Sequence, residues 1–114
     1  LVKNTSELKN NIVSDTVSYL NKNLYGNLTL DKVCKKTLYS STYINKLFKE
    51  KKGCTVMKYY QNLKISEAKS LLKKGLSVSE VSDELYFTDV NYFCKVFKKA
   101  TGRSPLKYKK QYES

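Results

Sequence analysis

The sequence lacks histidine and tryptophan altogether, and it has one proline, four glycines and three cysteines among 114 residues. Without histidine, the usual base for a serine or cysteine nucleophile is missing, and so is a common nitrogen ligand of zinc. The cysteines are odd in number and widely spaced, at Cys34, Cys54 and Cys94, so neither a disulfide framework nor a CxxC zinc site is supported. We therefore expect no enzyme, no metal site and no cofactor, in a protein of the reducing cytoplasm.

Negative charge is scarce as well, since ten acidic residues face 22 basic ones and the net charge is +12. Such an excess creates a field that attracts polyanions. It is concentrated in the middle of the chain, where residues 28–53 contain seven lysines and two acidic residues. A nucleic acid is the partner that this pattern favours, although lysines that simply solvate helix faces remain the alternative.

The chain also has no continuous apolar run of membrane-spanning length, and no charged segment followed by an apolar one opens it. We therefore predict neither a signal peptide nor a membrane span. With 40% apolar residues, the chain can form one compact domain, or two small lobes that share an element, but not two independent domains. Because it begins with Leu1, we expect a soluble piece of a longer protein.

The scarce glycines and the single proline punctuate a helical pattern. The glycines predict helix stops in the left-handed conformation, at Gly26, Gly53, Gly75 and Gly102. Residues that can accept a hydrogen bond from a first-turn N–H predict helix starts, at Thr29, Ser40, Thr55, Ser77, Asp89 and Ser104. Ser77 and Glu80 have the spacing of a capping box, and Pro105 follows Ser104 at a first helical position.

Between these marks, apolar residues recur with the period of a helix, as at Leu8, Ile12, Val13, Val17, Leu20 and Leu24. No segment alternates for long in the way of a β-strand. We predict an all-α fold of seven helices, near residues 6–25, 30–37, 41–51, 55–73, 78–85, 89–100 and 104–112.

An internal repeat is the most specific feature, because residues 28–59 recur at 76–108 with nine identities and a shift of one residue at the turn. Phe48 matches Phe97, for example. Each copy contains a short helix, a tight turn and a second helix, which is the plan of a helix-turn-helix unit. In that plan the second helix enters the major groove of DNA.

The predicted second helices carry the two faces that this plan needs. Spaced apolar residues supply the buried faces, at Ile44, Leu47, Phe48, Phe93, Val96 and Phe97. The aromatic residues Tyr43, Phe48, Tyr92, Phe93 and Phe97 could instead stack single-stranded bases, but their helical spacing favours core packing. The residues that we predict to contact DNA are Ser40, Ser41, Thr42, Asn45, Lys46, Lys49, Thr88, Val90, Asn91, Tyr92, Cys94, Lys95 and Lys98.

Several of these side chains suit base reading. Asparagine can pair with two atoms of adenine, lysine can donate to guanine, and Thr42 or Val90 can touch a thymine methyl. Asn45 and Asn91 are the stronger candidates for base contacts, because single lysines more often contact phosphates.

The segments 64–72, 78–82 and 89–99, followed by Gly-Arg-Ser-Pro at 102–105 and by Tyr108, resemble the signature of AraC/XylS-type transcription regulators. The resemblance covers about residues 6–110. It implies the C-terminal DNA-binding domain of such a regulator, with homeodomain-like helix-turn-helix lobes at about 6–54 and 76–112 and a linker helix at about 55–73. The third and sixth helices would bind DNA, with the bases facing Thr42, Asn45, Lys46, Val90, Asn91, Cys94 and Lys95.

The resemblance also implies partners and a role. The expected partner is double-stranded DNA, bound sequence-specifically, and the expected role is transcription regulation, often as an activator. RNA polymerase is a further candidate partner, and so is an N-terminal effector-binding, dimerisation or receiver domain. The alternative is a non-specific, RNA-binding or single-strand-binding module. A membrane-surface domain and an enzyme that uses Cys94 are less favoured.

The sequence departs from the family pattern at the turn of each unit, where Leu38 and Tyr86 replace typical glycines. If both positions need a positive φ, we expect a strain of about 1–2 kcal/mol at each. Lys64 stands where arginine is common. Cys34 and Ser82 stand where alanine is usual, and both are small enough for a close helix crossing.

Overall fold

The computed structural model describes residues 5–112, and within them it contains seven helices and no strand. The helices are α1 Thr5–Lys22, α2 Leu30–Thr37, α3 Ser41–Lys52, α4 Val56–Lys73, α5 Val78–Glu84, α6 Val90–Thr101 and α7 Pro105–Lys110. The predicted all-α class is confirmed. The largest difference in boundaries is at the end of α1, which stops at Lys22 rather than near residue 25. In this described part, none of the helices combines the length and hydrophobicity needed to cross a membrane.

The helix starts are built by side chains that accept hydrogen bonds from first-turn N–H groups, as the sequence predicts. Such caps precede α2, α3, α5, α6 and α7, at Thr29, Ser40, Ser77, Asp89 and Ser104. Ser77 and Glu80 exchange both hydrogen bonds of the capping box. The hydrogen bond that the Ser77 backbone N–H donates to the Glu80 carboxylate, followed by the contribution of the Ser77 hydroxyl, holds the pKa of the Glu80 carboxyl below its ordinary value.

Three of the four predicted glycine stops are confirmed, since Gly53, Gly75 and Gly102 have positive φ angles. The stop at Gly26 is wrong, because α1 has already ended and Gly26 is not in the left-handed region. A tertiary contact holds this turn instead. The Tyr60 hydroxyl lies 2.6 Å from the carbonyl oxygen of Asn23 and 3.0 Å from that of Gly26, and it donates there.

The chain divides into two compact units, the first ending at Gln61 and the second beginning at Asn62. The division falls inside α4, so this helix contributes residues to both units. The lobe and linker limits predicted from the sequence stay a prediction.

In the first unit, α3 packs against α1 and α2. The core consists of buried apolar side chains, at Ile12, Val13, Leu20, Leu28, Val33, Ile44, Leu47, Phe48, Val56 and Tyr60. Leu8 continues the helical apolar spacing, but its side chain is 49% exposed. The buried face of α1 begins only at Ile12.

In the second unit, α6 packs against α5 and α7. The core side chains are Ile65, Ala68, Leu71, Leu72, Val81, Leu85, Phe93 and Phe97. The ring of Phe93 lies 4.8 Å from that of Phe87 and 5.8 Å from that of Phe97, centroid to centroid. Burial of each large apolar side chain contributes about 1.5–3 kcal/mol. An aromatic cluster therefore holds α6 in its unit.

Candidate nucleic-acid interface

The second helices of the two repeat copies, α3 and α6, begin and end in the same way. The Ser40 hydroxyl accepts a hydrogen bond from Tyr43 N at 3.2 Å, and the Asp89 carboxylate accepts one from Tyr92 N at 2.7 Å. Each helix runs for 12 residues and ends at a glycine in the left-handed conformation. The sequence repeat thus produces two helices of equal length with the same local frame.

The turns before these helices have a positive φ angle, which favours glycine, at positions where this sequence has other residues. Leu38 has φ 66° and Tyr86 has φ 59°, and in the described residues they are the non-glycine positions with positive φ. Both positions therefore keep the positive φ on which the expected strain depends. Their side chains are 89% and 61% exposed, so packing offers little compensation for a strain of about 1–2 kcal/mol each.

The inner faces of α3 and α6 are buried as predicted. Ile44, Leu47, Phe48, Phe93 and Phe97 are 1% exposed or less, and Val96 is half-buried. Two edge-to-face ring pairs recur at matching positions, Phe48–Tyr59 at 5.7 Å and Phe97–Tyr108 at 5.5 Å. The phenylalanine rings are therefore core residues and are not accessible for stacking on single-stranded bases.

The two tyrosines of the predicted aromatic stripe differ from the phenylalanines. Tyr43 is half-buried, and its ring lies 5.3 Å from that of Tyr39. Tyr92 is 46% exposed, so its prediction as a core residue is wrong. It lies in the first turn of α6, and its ring centroid is 6.3 Å from that of Phe87. This position suits its other predicted role, as a DNA contact.

Most of the predicted DNA contacts are exposed on the molecule. They are Ser40, Ser41, Thr42, Lys46 and Lys49 in the first unit, and Thr88, Val90, Asn91, Tyr92, Lys95 and Lys98 in the second. Exposure makes these side chains accessible to a groove, but contact with DNA stays a prediction for each of them. Cys94 is half-buried rather than outward-facing.

Asn45, a predicted base contact, has its amide oxygen engaged within the first unit. Its side chain is half-buried, and its Oδ1 accepts a hydrogen bond from the backbone N–H of Val56 at 3.0 Å. Val56 is the first residue of α4, and the N–H groups of a first helical turn have no partner within the helix. Asn45 supplies that partner. Its amide does not present both atoms outward, as a bidentate contact with adenine would require.

The second unit contains a buried lysine whose role was not predicted from the sequence. Lys64 is 7% exposed, its ammonium donates a hydrogen bond to the carbonyl oxygen of Leu85, and it lies 5.8 Å from the centre of the Phe87 ring. Burial lowers the pKa of Lys64 from 10.5 to about 8. The spacing of Lys64, Ala68 and Leu71 placed it on the buried stripe of α4, and this signal could have identified it.

A basic concave surface of about 350 Å³ adjoins the end of α6 in the second unit. Its cationic side chains are Lys98, Arg103 and Lys107, and Gly102, Ser104 and Gln111 complete the lining. Only Lys98 belongs to the predicted set. Arg103 and Lys107 lie beyond the end of α6, so the pattern of the predicted recognition helix did not indicate them.

Comparison with known proteins identifies the family of this fold. A family model described as a helix-turn-helix domain matches residues 33–111. PqrA of Proteus vulgaris, described as a probable transcription factor, is 30% identical over 102 residues, which are 87% of this chain and 84% of PqrA. YijO of Escherichia coli, described as an uncharacterized HTH-type transcriptional regulator, is 35% identical over 97 residues, or 84% of this chain. The chain spans about a third of the length of YijO (34%).

Solved structures show the same fold. A transcriptional regulator with an AraC-type DNA-binding domain from Chromobacterium violaceum superposes with a TM-score of 0.85 at 21% identity, covering 92% of this chain and 95% of that one. The DNA-binding domain of the global transcriptional factor AdpA, solved in complex with a target DNA, superposes with a TM-score of 0.82 at 19% identity. The match covers 88% of this chain and 91% of that one. With the family match over most of its length, the chain belongs to the helix-turn-helix domain family, and it shares the fold of an AraC-type DNA-binding domain.

Proposed function

We propose that this domain binds double-stranded DNA sequence-specifically and regulates transcription, with α3 and α6 as its recognition helices. The main support is that these two helices share the same features. Each has a capped start, a buried apolar face and an exposed face of short polar and basic side chains. Such a helix fits the major groove, where base edges present distinct donors and acceptors. The AdpA domain, solved with a target DNA, is a fold neighbour that supports this role.

Within this proposal, α6 offers the clearest base contacts. Asn91 is exposed in its first turn, beside Val90 and Lys95. An amide at that position can pair with adenine, and the other two side chains can touch a thymine methyl or donate to guanine. On α3, Thr42 and Lys46 are exposed and take the corresponding roles.

The flanking basic residues anchor the DNA backbone in this proposal. Lys49 in the first unit and Lys98 in the second lie in the last turns of α3 and α6. Arg103 and Lys107 extend the positive surface beyond α6. Cations at such positions neutralise phosphates and release counterions, so binding weakens as the salt concentration rises.

The test is a selection of binding sites from random duplexes, followed by competition with single-stranded DNA and RNA of the same sequence. The proposal expects one enriched motif and weak competition by single strands. The alternative, a non-specific or single-strand-binding module, predicts no enriched motif or equal competition. Asn10→Ala, which changes an exposed residue of α1, is a control that should keep the wild-type motif.

The proposal extends to the longer protein. Because YijO is about three times as long as the matched segment, we place this domain beside an N-terminal effector-binding, dimerisation or receiver domain. We further propose that the protein acts in the cytoplasm, by binding rather than catalysis, and activates transcription through RNA polymerase. A reporter promoter carrying the selected motif tests this, since activation predicts higher expression with the protein and repression predicts lower expression.

A further inference from the structure

The two units build the helix that follows the recognition helix from the same parts. Before α4, the Thr55 hydroxyl accepts a hydrogen bond from Lys58 N at 3.3 Å. Before α7, the Ser104 hydroxyl accepts one from Lys107 N, also at 3.3 Å. The ring contacts of Phe48 with Tyr59 and of Phe97 with Tyr108 match as well. The two sites are therefore local copies of one another.

The copies differ at the first residue of the following helix. Val56 has an N–H group there, and Asn45 Oδ1 accepts its hydrogen bond. At the matching position of the second unit stands Pro105, which has no N–H and needs no acceptor. The residue that matches Asn45 is Cys94, which has no amide oxygen to offer. The two differences form a consistent pair, because each unit either has both the donor and the acceptor or has neither.

We infer that Asn45 is a positioning residue that ties α3 to the first turn of α4, and that it does not read a base. The inference rests on the proposed DNA-binding function. Using Asn45 on a base would break its bond to Val56 and leave a buried N–H without an acceptor, since Val56 is fully buried. At the matching position of the second unit no acceptor is needed, because Pro105 has no N–H group.

A stability cycle tests the first half of the inference. The variants are Asn45→Cys, Val56→Pro and the double variant, which transplants the pair found in the second unit. Asn45→Cys should raise the equilibrium constant of unfolding about tenfold, because it orphans the Val56 N–H. Adding Val56→Pro to Asn45→Cys should restore most of the lost stability, because proline has no N–H group that needs an acceptor. A double variant as unstable as the summed single variants would overturn the inference.

The second half is tested with the site selected by the wild-type domain, at a temperature where circular dichroism shows every variant folded. The double variant should keep the wild-type preference at every base of the site, whereas Asn91→Ala, the positive control, should relax it at one base pair. A preference lost at any base in the double variant would contradict the inference. Failure of the wild-type domain to select any site would refute the proposed function. The stability cycle does not depend on DNA, so it would still test whether the bond between Asn45 and Val56 stabilises the fold.

Discussion

The ammonium of Lys64 donates a hydrogen bond to the carbonyl oxygen of Leu85, the residue at which α5 ends. The same ammonium lies 5.8 Å from the centre of the Phe87 ring, and that ring packs 4.8 Å from Phe93 on α6. One side chain of α4 therefore satisfies the end of α5 and supports the turn that leads into α6. Within the second unit, Lys64 is a contact through which α4 holds the recognition helix.

This contact predicts a distinctive pH dependence of stability. The pKa of Lys64 is lowered by burial from 10.5 to about 8 in the folded state, so between these values the unfolded chain binds more protons. The free energy of unfolding of the wild type, relative to Lys64→Met, should therefore rise by about 2 kcal/mol from about pH 7.5 to pH 9.5. Urea denaturation of the wild type and of Lys64→Met at a series of pH values measures this difference in the free energy of unfolding.

The matched control is Lys74→Met, which changes an exposed lysine just after the same helix. Its free energy of unfolding should follow that of the wild type across the range. A difference between wild type and Lys64→Met that stays constant or falls with rising pH would show that Lys64 is not held in the way described.

Glycine at either turn should stabilise the fold. Leu38→Gly or Tyr86→Gly removes about 1–2 kcal/mol of strain from the left-handed backbone conformation. Glycine also costs about 0.5–1 kcal/mol through the greater entropy of the unfolded chain, so the free energy of unfolding should rise by up to about 1.5 kcal/mol. Thermal denaturation measures the gain. Leu38→Ala and Tyr86→Ala keep the Cβ atom and should gain little. Equal gains for alanine and glycine would mean that the exposed side chain, not the backbone, causes the strain.

Ser82 carries a buried polar atom that the fold leaves unsatisfied. Its hydroxyl oxygen is buried and finds no hydrogen-bond partner within residues 5–112. Ser82→Ala removes an uncompensated polar group and should raise the free energy of unfolding by about 1 kcal/mol. Ser79→Ala, at an exposed position of the same helix, should change it little. A loss of stability in Ser82→Ala would indicate that its hydroxyl is hydrogen-bonded in solution.

Local sequence signals predicted the helix starts, the turns and the buried phenylalanines, because each depends on neighbours within a few residues. The capping box of Ser77 shows this, since both of its partners lie within one turn. The errors came from contacts between distant residues. Asn45 was predicted on an outer face, and nothing in its own helix shows that Val56 would take its oxygen. The helical spacing of Lys64 could have indicated its burial, but only the fold brings its partner Leu85 to it.

Two substitutions on α6 should separate base reading from phosphate binding. Asn91→Ala should cost about 1–3 kcal/mol on the selected site and relax the preference at one base pair. Lys98→Ala should weaken binding to all duplexes about equally and reduce the salt slope by about one. Affinity titrations on the selected site and its single-base variants measure both effects. The same pattern for the two variants would reject this division of roles.

The central claim is that the exposed faces of α3 and α6 read DNA sequence while the surrounding lysines bind phosphates. Titration of the domain with the selected duplex and with a shuffled duplex of equal length, over a series of salt concentrations, tests it most directly. We predict that both affinities fall linearly on a logarithmic salt scale and that the selected duplex binds about 10³-fold tighter or more throughout. Equal affinity for the two duplexes at every salt concentration would contradict the claim.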